Sequence, residues 1–240
     1  MEGWIVGAGG AYQHSNFYWL EGRGHGEVNG YYGALYTDYE VEDFYVGATL
    51  LLGLDTRTAF RHIQYVSINR DAEAESSSFD AIARLSGAYF FGVPTLLFFP
   101  YANLDFFYFQ NGSFRENGAQ SLDLDVDSWT YKTLRTEGGL ALQLLEMNPA
   151  ETICLSPTVA LGWAMENPVS RDSFTATFTG ESIPFKTRGW DHTWQLWTAK
   201  LGVRFNYYCF SFYADYQAEI SIEKNDFFAQ KCDFRFSYSW

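Results

Sequence analysis

Cys209-Phe210-Ser211-Phe212-Tyr213-Ala214-Asp215-Tyr216-Gln217-Ala218-Glu219-Ile220 carries apolar residues at its even positions and mostly polar ones at its odd positions. Side chains that alternate in this way face opposite sides of an extended chain, so the stretch reads as a β-strand with one apolar and one polar face. The same period runs through Trp197, Ala199, Leu201, Val203 and Phe205 against Thr198, Lys200, Gly202 and Arg204. It returns in Ile153, Leu155, Val159, Leu161, Trp163 and Met165, in Leu140, Leu142 and Leu144, and in Phe79, Ala81, Ala83, Leu85 and Tyr89. About ten strands result, at 3–15, 27–39, 43–60, 77–91, 97–110, 129–145, 152–166, 192–205, 209–221 and 227–240. Helical periodicity is nearly absent.

A chain of 240 residues divided among ten strands leaves 24 for each strand with its connection. Soluble sandwiches show turn signals every ~8–12 residues, so this spacing is too wide for them. A membrane-crossing strand needs about 9–11 residues inside the hydrocarbon and can extend beyond it. The connections alternate in length. Short turns are expected at 40–42, 92–96, 146–151 and 206–208, and longer ones at 20–26, 64–76, 111–128, 167–191 and 222–226. An up-and-down antiparallel barrel in an outer membrane has this alternation, with short turns on the periplasmic side.

Alternation alone does not say which face is outside, so the chemistry of each face has to decide. The apolar face gathers rings toward the strand ends, among them Tyr12, Tyr39, Phe44, Tyr89, Phe91, Phe106, Tyr108, Trp163, Phe205, Tyr238 and Trp240, as two interfacial girdles would. The other face carries Asp55, Arg57, Arg84, Asp105, Arg135, Glu137, Glu166, Lys200, Arg204, Asp215, Glu219, Asp233 and Arg235. Charges of both signs on one face suit a wet lumen in which they pair across strands. The expected fold is therefore an all-β transmembrane antiparallel barrel, closed so that no strand edge faces lipid.

Composition narrows the partners. The chain has 22 Phe, 17 Tyr and 8 Trp, and only 16 Lys+Arg against 29 Asp+Glu, for a net charge of -13. Phosphate binding needs a basic stripe, so no nucleic acid partner is expected. Met1-Glu2-Gly3-Trp4 has no basic segment and no apolar run of a secretory signal, which fits a cytosolic protein or a mature or truncated chain. The charge-free run Leu85–Leu104 contains Gly87, Gly92, Pro94 and Pro100 and reads as two strands around a turn, so no transmembrane helix is expected. Cys154, Cys209 and Cys232 are too few and too far apart for a zinc site or a disulfide framework, and no cofactor or metal is expected.

From Phe99 onward the chain resembles the C-terminal translocator β-domain of autotransporters, the type V secretion family. Pro100-Tyr101-Ala102-Asn103-Leu104 resembles the "PYASL" strand of that family, and Phe114-Arg115-Glu116-Asn117-Gly118-Ala119 its "F-T-E-x-G-A" loop. Ser121 to Val126 followed by Leu134-Arg135-Thr136-Glu137-Gly138-Gly139-Leu140 is similar to "L-x-L-x-V" and "SLRSELGLRL". Phe174 to Gly180 with Phe185 to Gly189 resembles "ASFAG…FTVRG", and Phe234-Arg235-Phe236-Ser237-Tyr238-Ser239-Trp240 the terminal "L-R-Y-R-F". Upstream, Gly30 to Tyr36 and Asp43 to Ala48 resemble consecutive family strands. The family barrel has twelve strands and a helix threading the pore. The resemblance therefore implies that residues 1–240 are one barrel domain with about ten of those strands, lacking N-terminal strands and the pore helix. It also implies a Gram-negative outer membrane, a passenger segment in cis, and insertion by the barrel assembly machinery.

Phe234, Phe236, Tyr238 and Trp240 set four rings on one face of the last strand, a pattern suited to capture by edge pairing, and are the expected assembly signal. Arg84, Arg135, Glu137, Lys200, Arg204, Asp215 and Arg235 are the expected lumen residues, keeping the interior hydrated and touching a threaded segment. No catalytic role is expected. Two other functions fit a barrel: a free-standing pore or surface protein, and an omptin-like protease using Asp125 with Asp127 and Asp191 with His192. Asp125 and Asp127 share one side of a strand, but adjacent Asp191 and His192 would face opposite sides.

Overall fold

The structure is a computed structural model and describes residues 3–19, 22–93, 95–144, 153–170, 173–181, 183–189, 192–222 and 228–238. In chain order the strands are β1 (Gly3–Tyr18), β2 (Gly24–Val41), β3 (Phe44–Tyr65), β4 (Ile68–Tyr89), β5 (Phe91–Val93), β6 (Leu96–Asn111), β7 (Phe114–Arg115) and β8 (Leu124–Val126). They continue as β9 (Trp129–Leu144), β10 (Ile153–Pro168), β11 (Ser173–Phe178), β12 (Phe185–Arg188), β13 (Trp194–Tyr207), β14 (Phe210–Ser221) and β15 (Phe228–Tyr238). The large sheet runs β1-β2-β3-β4-β6-β9-β10-β13-β14-β15, every pair antiparallel, with the short β5 on β6, and it curls into a half-barrel of ten strands. A 3-10 turn lies at Gln120–Leu122.

Neighbours in sequence are neighbours in the sheet, so the topology is a meander. Three of its hairpins have two-residue turns, Glu42-Asp43, Val66-Ser67 and Tyr208-Cys209, closed by the pairs Val41 with Phe44, Tyr65 with Ile68, and Tyr207 with Phe210. The first residue of each turn has a left-handed φ, at 47°, 47° and 51°. That backbone matches the twist of the flanking strands. The expected loop at 64–76 is corrected here: residues 68–76 are strand, paired through to Tyr65. Alternation fades there because the inward positions are small (Ala72, Ala74, Ser76) while the outward ones are polar (Asp71, Glu73, Glu75), so no apolar stripe marks the strand.

Burial is inverted relative to a soluble protein. The largest side chain with almost no exposure is Asp105, at 0%, and Asp55 is also buried, whereas Leu54, Leu140 and Leu161 are each about two-thirds exposed. Only an apolar medium on the convex side reconciles such a surface with a folded chain. On β3 the outward residues from Phe44 to Leu54 are apolar, and Thr56 and Thr58 follow. On β4 their register partners run from Tyr89 to Phe79, and Ser77 and Glu75 follow. Ten residue steps of about 3.3 Å on a strand tilted about 40° give an apolar band about 25 Å tall, the height of a hydrocarbon layer.

Rings border the band at both ends. Trp4 lies 4.7 Å from Tyr39, Phe91 is 5.9 Å from Phe98, and Phe210 is 5.1 Å from Tyr238 at the end of the Glu42-Asp43 and Tyr208-Cys209 turns, the short-turn end. Tyr12 with Tyr31 at 5.2 Å and Phe79 with Tyr108 at 6.2 Å mark the other end, where Lys132 lies 5.7 Å over the Tyr108 ring. Amphipathic rings at both boundaries hold the depth of the sheet in the membrane.

Candidate functional site

The concave wall is built rung by rung from the register. Arg84 on β4 lies opposite Asp105 on β6, Asp105 opposite Arg135 on β9, and Arg135 opposite Glu166 on β10. Charges of alternating sign therefore cross four strands on one face, the pairing that stabilises a sheet surface. Arg84 donates to both oxygens of Asp105 at 2.5 and 2.9 Å. Arg135 is the hub. It donates to Glu166 at 2.9 Å and to Glu219 at 2.7 and 3.3 Å, and its guanidinium lies 3.6 Å from Glu137. Lys200 stands 3.5 Å from Asp215 and Lys231 stands 2.6 Å from Asp233.

Glycines opposite tyrosines shape the same wall. Tyr101 donates to Glu137 at 3.2 Å, and its phenol occupies the space above Gly139 and Gly162, where an added Cβ would lie 2.7 and 2.6 Å from the hydroxyl. Tyr32 likewise covers Gly53 and donates to the buried Asp55 at 2.7 Å. Each tyrosine lies along the wall and does not block the lumen. The result is a cavity of about 1260 Å³ whose lining runs from Arg84 on β4 to Arg235 on β15.

The structure places Arg84, Arg135, Glu137, Lys200, Arg204 and Arg235 on the lining of this cavity, with Asp215 buried behind Lys200. On β15, Phe234, Phe236 and Tyr238 point to the convex side and are exposed. Trp240 lies outside the described residues. Of the residues in the protease reading, Asp125 is on β8 and Asp127 follows it, both exposed on a loop and away from the wall, and Asp191 lies outside the described residues.

At the end opposite the Glu42-Asp43 and Tyr208-Cys209 turns, the connections 112–128 and 169–193 join into a second sheet of order β12-β11-β8-β7. Alternation does not reveal this sheet, because its strands are two to six residues long. It is tied to the overhanging β3–β4 hairpin. Arg61 donates to Glu116 at 2.9 and 2.5 Å and to the Leu122 carbonyl at 3.0 Å, and Arg70 donates to the Ala119 carbonyl at 2.8 Å. Glu73 and Asn117 exchange backbone bonds at 2.9 Å, so this loop covers the edge of β4 beyond the end of β6. Gly118, at φ +113°, approaches the Asp71 carbonyl, and Ala119 is completely buried. The Glu-x-Gly-Ala spacing of this loop is thus the spacing of an ion pair, a left-handed turn and a buried methyl.

A meander with a 25 Å lipid-facing band, ring girdles and a charged concave wall is a transmembrane β-barrel domain. The family model described as Autotransporter beta-domain matches residues 1–217, from before β1 into β14. This chain belongs to that family, whose domains are outer-membrane translocators of Gram-negative bacteria and not catalytic domains. No curated protein matches the chain.

Proposed function

We propose that residues 1–240 form one barrel domain that anchors an N-terminal passenger in the outer membrane and passes it to the cell surface, with the passing segment running along the concave wall. The supporting observation is the 1260 Å³ cavity on the concave side of the sheet, lined by charges of both signs, most of them paired. In this reading Arg84, Arg135, Glu137, Lys200, Arg204, Asp215 and Arg235 keep the passage hydrated and meet the segment, because a charged wall holds water that an apolar one would exclude. An epitope-tagged passenger fused upstream of Met1 should become sensitive to protease added to intact cells. A folded, heat-modifiable barrel whose passenger stays protected would overturn the reading.

Insertion is proposed to depend on the barrel assembly machinery, which would capture the last strand by edge pairing, with Phe234, Phe236, Tyr238 and Trp240 as the signal. Three of these rings lie on the convex side of β15. Trp240→Asp should reduce the heat-modifiable barrel in the outer membrane several-fold, and undiminished assembly of that variant would remove Trp240 from the signal.

A further inference from the structure

The cations lining the cavity are not equally neutralised. Six line it, and four have carboxylate partners: Arg84 with Asp105, Arg135 with Glu219, Lys200 with Asp215, and Lys231 with Asp233. Arg204 and Arg235 have none within 4 Å among the described residues, and both are exposed on the concave side. They belong to one rung. Arg204 on β13 lies opposite Tyr213 on β14, and Tyr213 lies opposite Arg235 on β15, whose guanidinium is 5.4 Å from the Tyr213 ring centre. The rung toward the overhanging loops holds Asp215 and Asp233, already engaged by the two lysines. The rung toward the short turns holds the neutral Asn206, Ser211 and Ser237.

We propose that Arg204, Tyr213 and Arg235 form an anion-binding rung near the short-turn end of the lumen, which takes the carboxylates of an acidic peptide segment. Charge complementarity carries this. A local excess of two positive charges persists in a chain with a net charge of -13, on a wall where the other lining cations are paired. Both cations are arginines, whose planar forks engage a carboxylate through two parallel bonds, and the Tyr213 ring separates their strands, its hydroxyl leaning over Gly202. The rung points into the lumen, while the alternate residues Phe205, Phe212, Phe234 and Phe236 take the convex side. The rung thus faces the concave side, where a polypeptide passing along the wall would meet it, and away from the apolar face that meets lipid. The inference rests on the translocator reading for the origin of that polypeptide, not for the binding itself.

The test uses the full chain refolded in a zwitterionic detergent and a fluorescein-labelled oligoglutamate, with binding read as anisotropy. Wild type should bind it at low salt and lose affinity as salt is raised, because the contacts are exposed to a wet lumen. Oligolysine of the same length should not bind. R204Q/R235Q, checked for folding by heat-modifiable mobility, should bind oligoglutamate at least about tenfold more weakly, and Lys132→Gln, on the lipid side, should bind as wild type. Equal oligoglutamate affinity in wild type and R204Q/R235Q, binding that ignores salt, or equal binding of oligolysine would each overturn the rung. Should the double variant not fold, the wild-type salt titration and the oligolysine comparison still decide. Failure of passenger exposure in cells, with oligoglutamate binding intact, would count against the translocator reading alone.

Discussion

Arg135 on β9 and Glu219 on β14 lie three strands apart in the sheet and yet bond at 2.7 Å. Three inter-strand spacings amount to about 14 Å along a sheet. Two side chains leaning toward each other close that gap only where the wall is concave, so this ion pair is a direct measure of the curvature. It also makes Arg135 the shared partner of three carboxylates, and the consequences of removing each partner differ.

Arg135→Ala leaves Glu137, Glu166 and Glu219 facing one another without their cation, a loss of about 3–5 kcal/mol for a largely buried group. Glu219→Ala leaves Arg135 with two carboxylates and should cost about 1 kcal/mol. Urea unfolding of the folded barrel in lipid vesicles, followed by tryptophan fluorescence, checks the ordering. Equal midpoints for the two variants would contradict the hub.

Glu116→Ala should release the loop 112–128 from the overhanging hairpin without unfolding the barrel. The lost interactions are a two-bond ion pair with Arg61 and the bond that Leu124 N–H donates to the same carboxylate. The local cost is about 3 kcal/mol, since Glu116 is buried. Hydrogen exchange at 112–128 should accelerate about a hundredfold while exchange in β9 and β10 stays unchanged.

On the convex face the cost of a charge should follow depth. Leu50→Arg sits mid-band and should destabilise by about 2–4 kcal/mol, whereas Thr56→Arg, just beyond Leu54, should cost about 1 kcal/mol or less. A soluble-type surface would tolerate both. Paired urea titrations in vesicles of one thickness separate the two outcomes.

Gly162→Val should displace the Tyr101 phenol from its place on the wall and break its bond to Glu137. An overpacked site of this kind costs about 1–3 kcal/mol. Gly162→Val/Tyr101→Ala removes the collision with the ring, leaving that with Thr198 Oγ1 at 2.7 Å, and should recover part of the loss, read as a rise in unfolding midpoint over the single variant. No recovery would mean that Thr198 and the Gly138 carbonyl, and not the ring, set the demand for glycine.

Alternation reached most of this architecture because in a membrane barrel both faces carry an obligation: one must be apolar for lipid and the other polar for water. Ten strands, their faces and the charged residues of the wall follow from that. The reading fails wherever the obligation lapses. Residues 68–76 project beyond the lipid, alternate small with polar, and look like a loop although they pair as strand. The short strands of the loop sheet carry too few residues to show any period, and the role of Glu116 depends on Arg61, 55 positions earlier in the chain.

The amino-acid sequence by itself determined that strands alternate, roughly where each lies, which side chains share a face, and the resemblance to translocator domains, because period two and motif spacing are local properties of the chain. Only the tertiary structure decided which of those charges meet. Whether Arg135 finds Glu219, or Arg204 and Arg235 find no carboxylate among the described residues, depends on register and curvature. Both are sums over many strands, and neither is written in any one of them.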